Sequence, residues 1–142
     1  MAEKTLRNDI ELLRKIVKHQ DGINETISAL NLKTANDITA NNVALKALAM
    51  DVCQIGELTD KISKDTMESF TVIDAKIAYS IRNRIAHAYL SVKPLEIALT
   101  AMQLGSIASI EEVKERIKFC VASCRKEKEA TEEKKCSTQE QI

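Results

Sequence analysis

Apolar residues recur along this chain at steps of three and four, the period of a helix with one buried stripe. The first such run spans about Thr5 to Leu30 and carries Ile10, Leu13, Ile16, Val17, Ile23, Ile27 and Leu30. Asp21-Gly22 interrupts it and is expected to kink or loosen the helix. His19 reads as an exposed, idle histidine. The polar stretch Asn31 to Thr39 reads as a connection, with Thr39 or a neighbour as the cap of the next helix. That second helix carries Val43, Leu45, Leu48, Val52, Ile55 and Ile62, with Ala44, Ala47 and Ala49 allowing close approach of a neighbour.

Lys64-Asp65-Thr66 reads as a turn before a third helix from about Met67 to Tyr89, striped by Phe70, Ile73, Ile77, Ile81 and Ile85. Pro94 suits the first position of a new helix, so Pro94 to Leu104 forms a short segment ending at Gly105. Ser109-Ile110-Glu111-Glu112 has the Ser-x-x-Glu form of a capping box opening a last helix with Val113, Ile117, Cys120 and Val121. From about Arg125 the chain turns to Lys, Glu, Thr and Gln. This tail is expected to continue as a solvated helix or to be disordered.

Composition supports the same class. Three Gly and one Pro in 142 residues leave little turn chemistry for many strands. Aromatics at 3% leave the core to Ile, Leu, Val, Ala and Met. The expected fold is all-α: an antiparallel four-helix bundle over residues 1–125 with one additional short helix, followed by a charged tail over 126–142.

Twenty-one basic and twenty-one acidic residues cancel, which argues against a broad basic coat for nonspecific nucleic-acid binding but leaves room for a small basic pocket. No apolar run approaches the roughly 20 residues that span a bilayer. Met1-Ala2-Glu3-Lys4 has no signal-peptide core, so a cytoplasmic location is expected. Cys53 reads as a small buried hydrophobe, and Cys120 and Cys124 share a helix face. With no Cys-x-x-Cys pair and neither histidine at ligand spacing from a cysteine, no metal site and no cofactor is expected.

One of the two histidines and one of the two tyrosines fall in a single stretch with two arginines and an asparagine, Arg82-Asn83-Arg84-Ile85-Ala86-His87-Ala88-Tyr89. An imidazole beside fixed guanidinium charges suits work on a phosphodiester. The spacing is awkward on one helix. Asn83 and His87 share a face, whereas Arg82 and His87, five residues apart, diverge by about 140°. A site therefore needs a helix that ends or distorts near His87, an arginine folded across, or a second copy of the helix. The last option points to a symmetric dimer with paired motifs. On spacing alone the pattern is weak, and the polar side of an ordinary helix is the better account of it. Gly56, inside the second helix in Ile55-Gly56-Glu57, reads either as a close-packing position or as a tolerated glycine.

The stretch resembles the signature of the HEPN superfamily, an Arg followed by a polar residue, three more positions and a His. It is similar in particular to the HepT-like branch, in which a Tyr follows two residues after that His; Arg82, Asn83, His87 and Tyr89 stand at those positions. Ile55-Gly56-Glu57 resembles the family's Ile-Gly-Glu in its second helix, and Asn8-Asp9 resembles its first helix, so the likeness covers roughly residues 5–125. Two features depart from the family. Ala75-Lys76 and its neighbours stand where Pro-Trp is common, and Ala88 replaces the usual Gly between His and Tyr.

The resemblance implies a metal-independent ribonuclease toxin paired with a small nucleotidyltransferase antitoxin, leaving 2′,3′-cyclic phosphate and 5′-hydroxyl ends. His87 would be the general acid–base group and Arg82 the holder of the scissile phosphate, with Asn83 orienting His87 or touching the phosphate. Arg84 is a weaker phosphate contact or a solvated surface arginine, and Glu57 a supporting residue. Tyr89 would accept AMP from the antitoxin, which silences the enzyme. The partners implied are RNA, the nucleotidyltransferase and a second copy of the chain, with no membrane and no DNA. The alternative is a catalytically silent helical partner, or a nucleotide-binding subunit, of a nucleotidyltransferase.

Overall fold

The structure, a computed structural model, describes residues 3–71, 75–88 and 92–140. Among them every regular element is helical: α1 (Glu3–Ala29), α2 (Ala35–Thr39), α3 (Asn42–Lys61), α4 (Lys64–Glu68), α5 (Ala75–Ala88), α6 (Pro94–Leu104) and α7 (Ile107–Glu140). The chain is all-α, and among the described residues no helix is long and apolar enough to cross a membrane.

The stripe of α1 buries Leu6, Ile10, Leu13, Ile16 and Ile23. Two polar residues occupy the same stripe, and each closes the end of another element. Asp9, buried, accepts from the Ser63 backbone N–H at 3.1 Å, the Ser63 hydroxyl at 2.6 Å and the Thr66 hydroxyl at 2.7 Å. This anchors the start of α4. Gln20 donates through Nε2 to the Leu104 carbonyl at 2.9 Å, and Asn24 donates to the Gly105 carbonyl at 2.9 Å. Those two carbonyls belong to the α6 terminus, which has no helical partners of its own to offer them.

The expected break at Asp21-Gly22 does not occur, since α1 is helical through both residues. A Cβ at Gly22 would lie 3.3 Å from Asp51 Oδ2, so the glycine leaves room for the Asp51 carboxylate against α1. His19 is not idle. Its Nδ1 lies 3.0 Å from Asp51 Oδ1, joining α1 to α3. The helix then ends in a Schellman motif. Asn31 sits at φ 51°, with Leu32 N–H bonded to the Ile27 carbonyl at 2.9 Å and Asn31 N–H to the Ser28 carbonyl at 3.1 Å. Asparagine tolerates that left-handed position better than most residues.

The connection Asn31 to Thr39 contains α2, opened by a capping box between Thr34 and Asp37. Hydrogen bonds from the backbone N–H groups of Lys33 and Thr34 hold the Asp37 carboxyl below the usual range of an aspartate. The cap of α3 is Asn41, whose Oδ1 accepts from the Ala44 N–H at 3.1 Å, rather than Thr39. Lys64-Asp65-Thr66, read as a turn, lies in α4. Residues 69–71 are not helical, so the run expected from Met67 is broken, and the next described helix is Ala75–Ala88; Ile73 and Tyr89 lie outside the described residues. Pro94 to Leu104 is a helix with the expected bounds.

Ser106, not Ser109, caps α7. The Ser109 N–H donates to the Ser106 hydroxyl at 3.2 Å, and the buried Ser109 hydroxyl turns back to the Gln103 carbonyl at 2.7 Å. Glu112 accepts instead from the Thr71 N–H and hydroxyl, at 2.9 and 2.8 Å. The α7 helix continues through the tail to Glu140, with residues 125–133 exposed.

Three cross-helix pairings fix the directions. Asp9 meets Ser63 while His19 meets Asp51, so α1 and α3 are antiparallel. Gly56 meets Ala78 and Arg82 while Cys53 faces Ala86, so α3 and α5 are antiparallel as well. Asn24 lies at Gly105, just before α7, whereas Arg7 reaches Cys124 on it. Thus α3 is central, flanked by α1 and α5, and α1 carries α7. The core joins Leu13, Ile16 and Ile23 to Leu48, Val52, Ile55, Ile81, Ile97, Leu104 and Val113. Val43, Ile77 and Leu30, counted in the apolar stripes, are exposed, and Cys53 is only half-buried.

Candidate functional site

The close approach of α3 and α5 builds the site. A Cβ placed on Gly56 would lie 2.7 Å from the Ala78 carbonyl oxygen and 2.9 Å from Arg82 Cβ, nearer than real Cβ contacts come. Glycine at this position is therefore a packing requirement, and of the two readings open in the sequence the structure selects the first. Glu57 is next in the chain. With the backbones this close, its carboxylate spans to α5 and meets Arg82 Nη2 at 2.6 Å. Arg82 Nη1 donates to Asn83 Oδ1 at 2.8 Å. Both terminal nitrogens of the guanidinium thus face oxygens of the chain itself.

Beside this ion pair opens a groove of about 230 Å³, lined by Cys53, Gln54, Glu57, Arg82, Ile85 and Ala86. Burial pushes the Cys53 thiol up from its ordinary pKa, with the Arg82 cation acting the other way. Cys53 forms part of the groove wall.

The face of α5 turned to α3 carries Ala78, Arg82, Ile85 and Ala86. On the other side, Lys76, Ile77, Ser80, Arg84 and His87 are exposed and Asn83 is half-buried. His87 lies in the last turn of α5 and has no hydrogen-bond partner among the described residues. Because α5 stays helical through both residues, the 140° divergence of Arg82 and His87 persists. Arg82 is engaged with α3 and His87 points to solvent. Arg84 forms an ion pair with Glu96 at 2.7 Å, tying α5 to α6. Its side chain remains 42% exposed beside that ion pair.

Of the residues singled out in the sequence, Arg82, Asn83 and Glu57 form one connected polar group, and His87 stands on the adjoining open face. Tyr89 falls outside the described residues. The groove walls Cys53, Gln54, Ile85 and Ala86 carry no motif of their own. Their one signal in the sequence is helical spacing relative to Glu57 and Arg82. No protein-family model, curated protein or solved structure matches the chain.

Proposed function

We propose that this chain is a HEPN-type antiparallel four-helix bundle and a metal-independent endoribonuclease toxin of the HepT-like kind. The observation that carries the reading is the open face of α5. Among the described residues the exposed His87 has no side-chain partner, Asn83 beside it is half-buried, and Arg82 stands at the border of this face beside a groove. An imidazole ordinarily titrates near neutrality, so it both accepts and returns protons under physiological conditions.

In the proposed reaction, His87 takes the proton of a ribose 2′-hydroxyl as the 2′-oxygen attacks phosphorus. The P–O5′ bond breaks, and the departing 5′-oxygen takes a proton from an imidazolium. The products are a 2′,3′-cyclic phosphate and a 5′-hydroxyl. Arg82 offsets charge on the phosphorane oxygens through its fork of donors. Since Arg82 and His87 of one helix face apart, the working site pairs Arg82 of one protomer with the partner's His87 in a symmetric dimer.

Incubation of the purified protein with total RNA tests the activity. Fragments bearing 2′,3′-cyclic phosphate ends by mass spectrometry are expected, with and without chelator. Intact RNA at micromolar protein would refute the nuclease reading.

Control of the enzyme is proposed to act through Tyr89, one residue beyond α5 in the sequence. Transfer of AMP from a nucleotidyltransferase antitoxin to the phenol oxygen, with release of pyrophosphate from ATP, adds bulk and negative charge two residues after His87 in the sequence. Co-expression with that nucleotidyltransferase is expected to yield an AMP mass adduct that disappears in Tyr89→Phe. An adduct retained in that variant would place the modification elsewhere.

A further inference from the structure

The resting arrangement of Arg82 directs one N–H of each terminal nitrogen to oxygens of the chain itself. A guanidinium holds a phosphodiester by presenting two N–H groups in parallel. Here one N–H of Nη2 goes to Glu57 Oε2 at 2.6 Å and one of Nη1 to Asn83 Oδ1 at 2.8 Å, so a phosphate drawn to the fork meets the Glu57 charge beside it. The two acceptors differ in kind. Asn83 is neutral, sits next to Arg82 on α5 and moves with it. Glu57 is an anion on a different helix, held in register by the Gly56 contact, so its charge lies where an incoming phosphate would bind.

The packing also defines what is able to move. Arg82 Cβ lies against the Gly56 backbone, so the base of the side chain is fixed and only its end swings. The Glu57 side chain is 39% exposed and has water to turn into. The groove beside the pair gives an anion access to the guanidinium from the side of Gln54 and Ala86.

We propose that Glu57 is an electrostatic gate on Arg82. It neutralises the guanidinium in the free protein, and an RNA phosphodiester gains Arg82 only by displacing the Glu57 carboxylate. This inference rests on the ribonuclease reading for the identity of the anion, but not on cleavage. The gate accounts for how a nuclease with zero net charge limits nonspecific polyanion binding: its strongest motif cation is masked until a phosphate enters the groove in the right place. It assigns Glu57 a role opposite to the supporting one, in which the carboxylate would steady Arg82 for phosphate.

The test is binding of a fluorescein-labelled, fully 2′-O-methylated RNA oligonucleotide, which lacks the attacking hydroxyl and reports affinity alone. Removing one facing charge is expected to tighten binding of this probe by Glu57→Gln about tenfold over wild type. Glu57→Asp, which keeps the charge, is expected to gain much less. In an Arg82→Gln background the Glu57→Gln gain is expected to vanish, and thermal melts establish that each variant is folded. Weaker or unchanged binding by Glu57→Gln, a gain that survives without Arg82, or no binding by either protein overturns the gate. Cleavage of unmodified RNA is followed in parallel. Tighter binding without any cleavage leaves the gate standing and removes the nuclease, whereas cleavage with no gain in affinity removes the gate alone.

Discussion

Replacing His87 with alanine is expected to lower RNA cleavage by about 10²–10⁴-fold while leaving the protein folded. The first half follows from the proposed role. No other imidazole is available, since the second histidine, His19, is engaged with Asp51 at the α1–α3 contact. General acid–base catalysis by a positioned group contributes roughly that factor. The second half follows from the packing. His87 is exposed at the last turn of α5 and bonds to nothing among the described residues, and substitutions at such positions usually change stability by no more than about 0.5 kcal/mol. Chemical denaturation alongside single-turnover cleavage checks both halves. Cleavage that persists in the variant would remove His87 from the mechanism.

Gly56→Val is expected to cost about 3 kcal/mol of stability. The new Cβ alone would meet the Ala78 carbonyl oxygen at 2.7 Å. Ala78 is buried and its carbonyl belongs to the helix backbone, so relief requires α3 and α5 to separate, and overpacking of this kind typically costs about 1–3 kcal/mol. The two methyl groups of valine add to the crowding, and β-branching adds a small helix penalty. Gly56→Ala provides the sharper control. Helix propensity alone predicts that alanine stabilises by up to about 1 kcal/mol. The close approach predicts net destabilisation, read as a lower urea midpoint at unchanged slope. Stabilisation by alanine would show that the helices have room to spare. Separation of α3 and α5 would also pull Glu57 away from Arg82, so these variants are expected to lose the masking of Arg82 together with stability.

Much of this arrangement is written in the periodicity of the chain. The order of the long helices, the Pro94 start and the Gly105 stop all follow from apolar spacing and end chemistry. The two five-residue helices do not, because α2 and α4 are shorter than the window in which a helical period is visible. A stripe read by hydrophobicity passes over Asp9 and Gln20. They sit at stripe positions because each satisfies the end of another helix, a need that exists only once the elements are packed. Ser109 matched a capping pattern, yet Ser106 took the role, since two serines three apart offer the same chemistry and only the entry of the chain from α6 decides between them.

The site is legible to a different depth. That Arg82 and His87 face apart followed from the helical angle alone. That Glu57 reaches Arg82 did not, for it depends on the register of α3 against α5, which the Gly56 contact sets across a separation of some two dozen residues. The ion pair of Arg84 with Glu96 likewise depends on how α6 lies against α5. His19 looked idle because its partner, Asp51, lies on another helix.

The central claim is that two chains complete each site, and mixing two inactive variants tests it most directly. Arg82→Ala and His87→Ala, each without cleavage alone, are combined, unfolded and refolded together. Random pairing makes about half of the dimers mixed, each with one whole site of two, so cleavage is expected to recover to about one quarter of wild type. Recovery to that level is the predicted result. A mixture no more active than the separate variants, with mixed dimers shown to form, would contradict it.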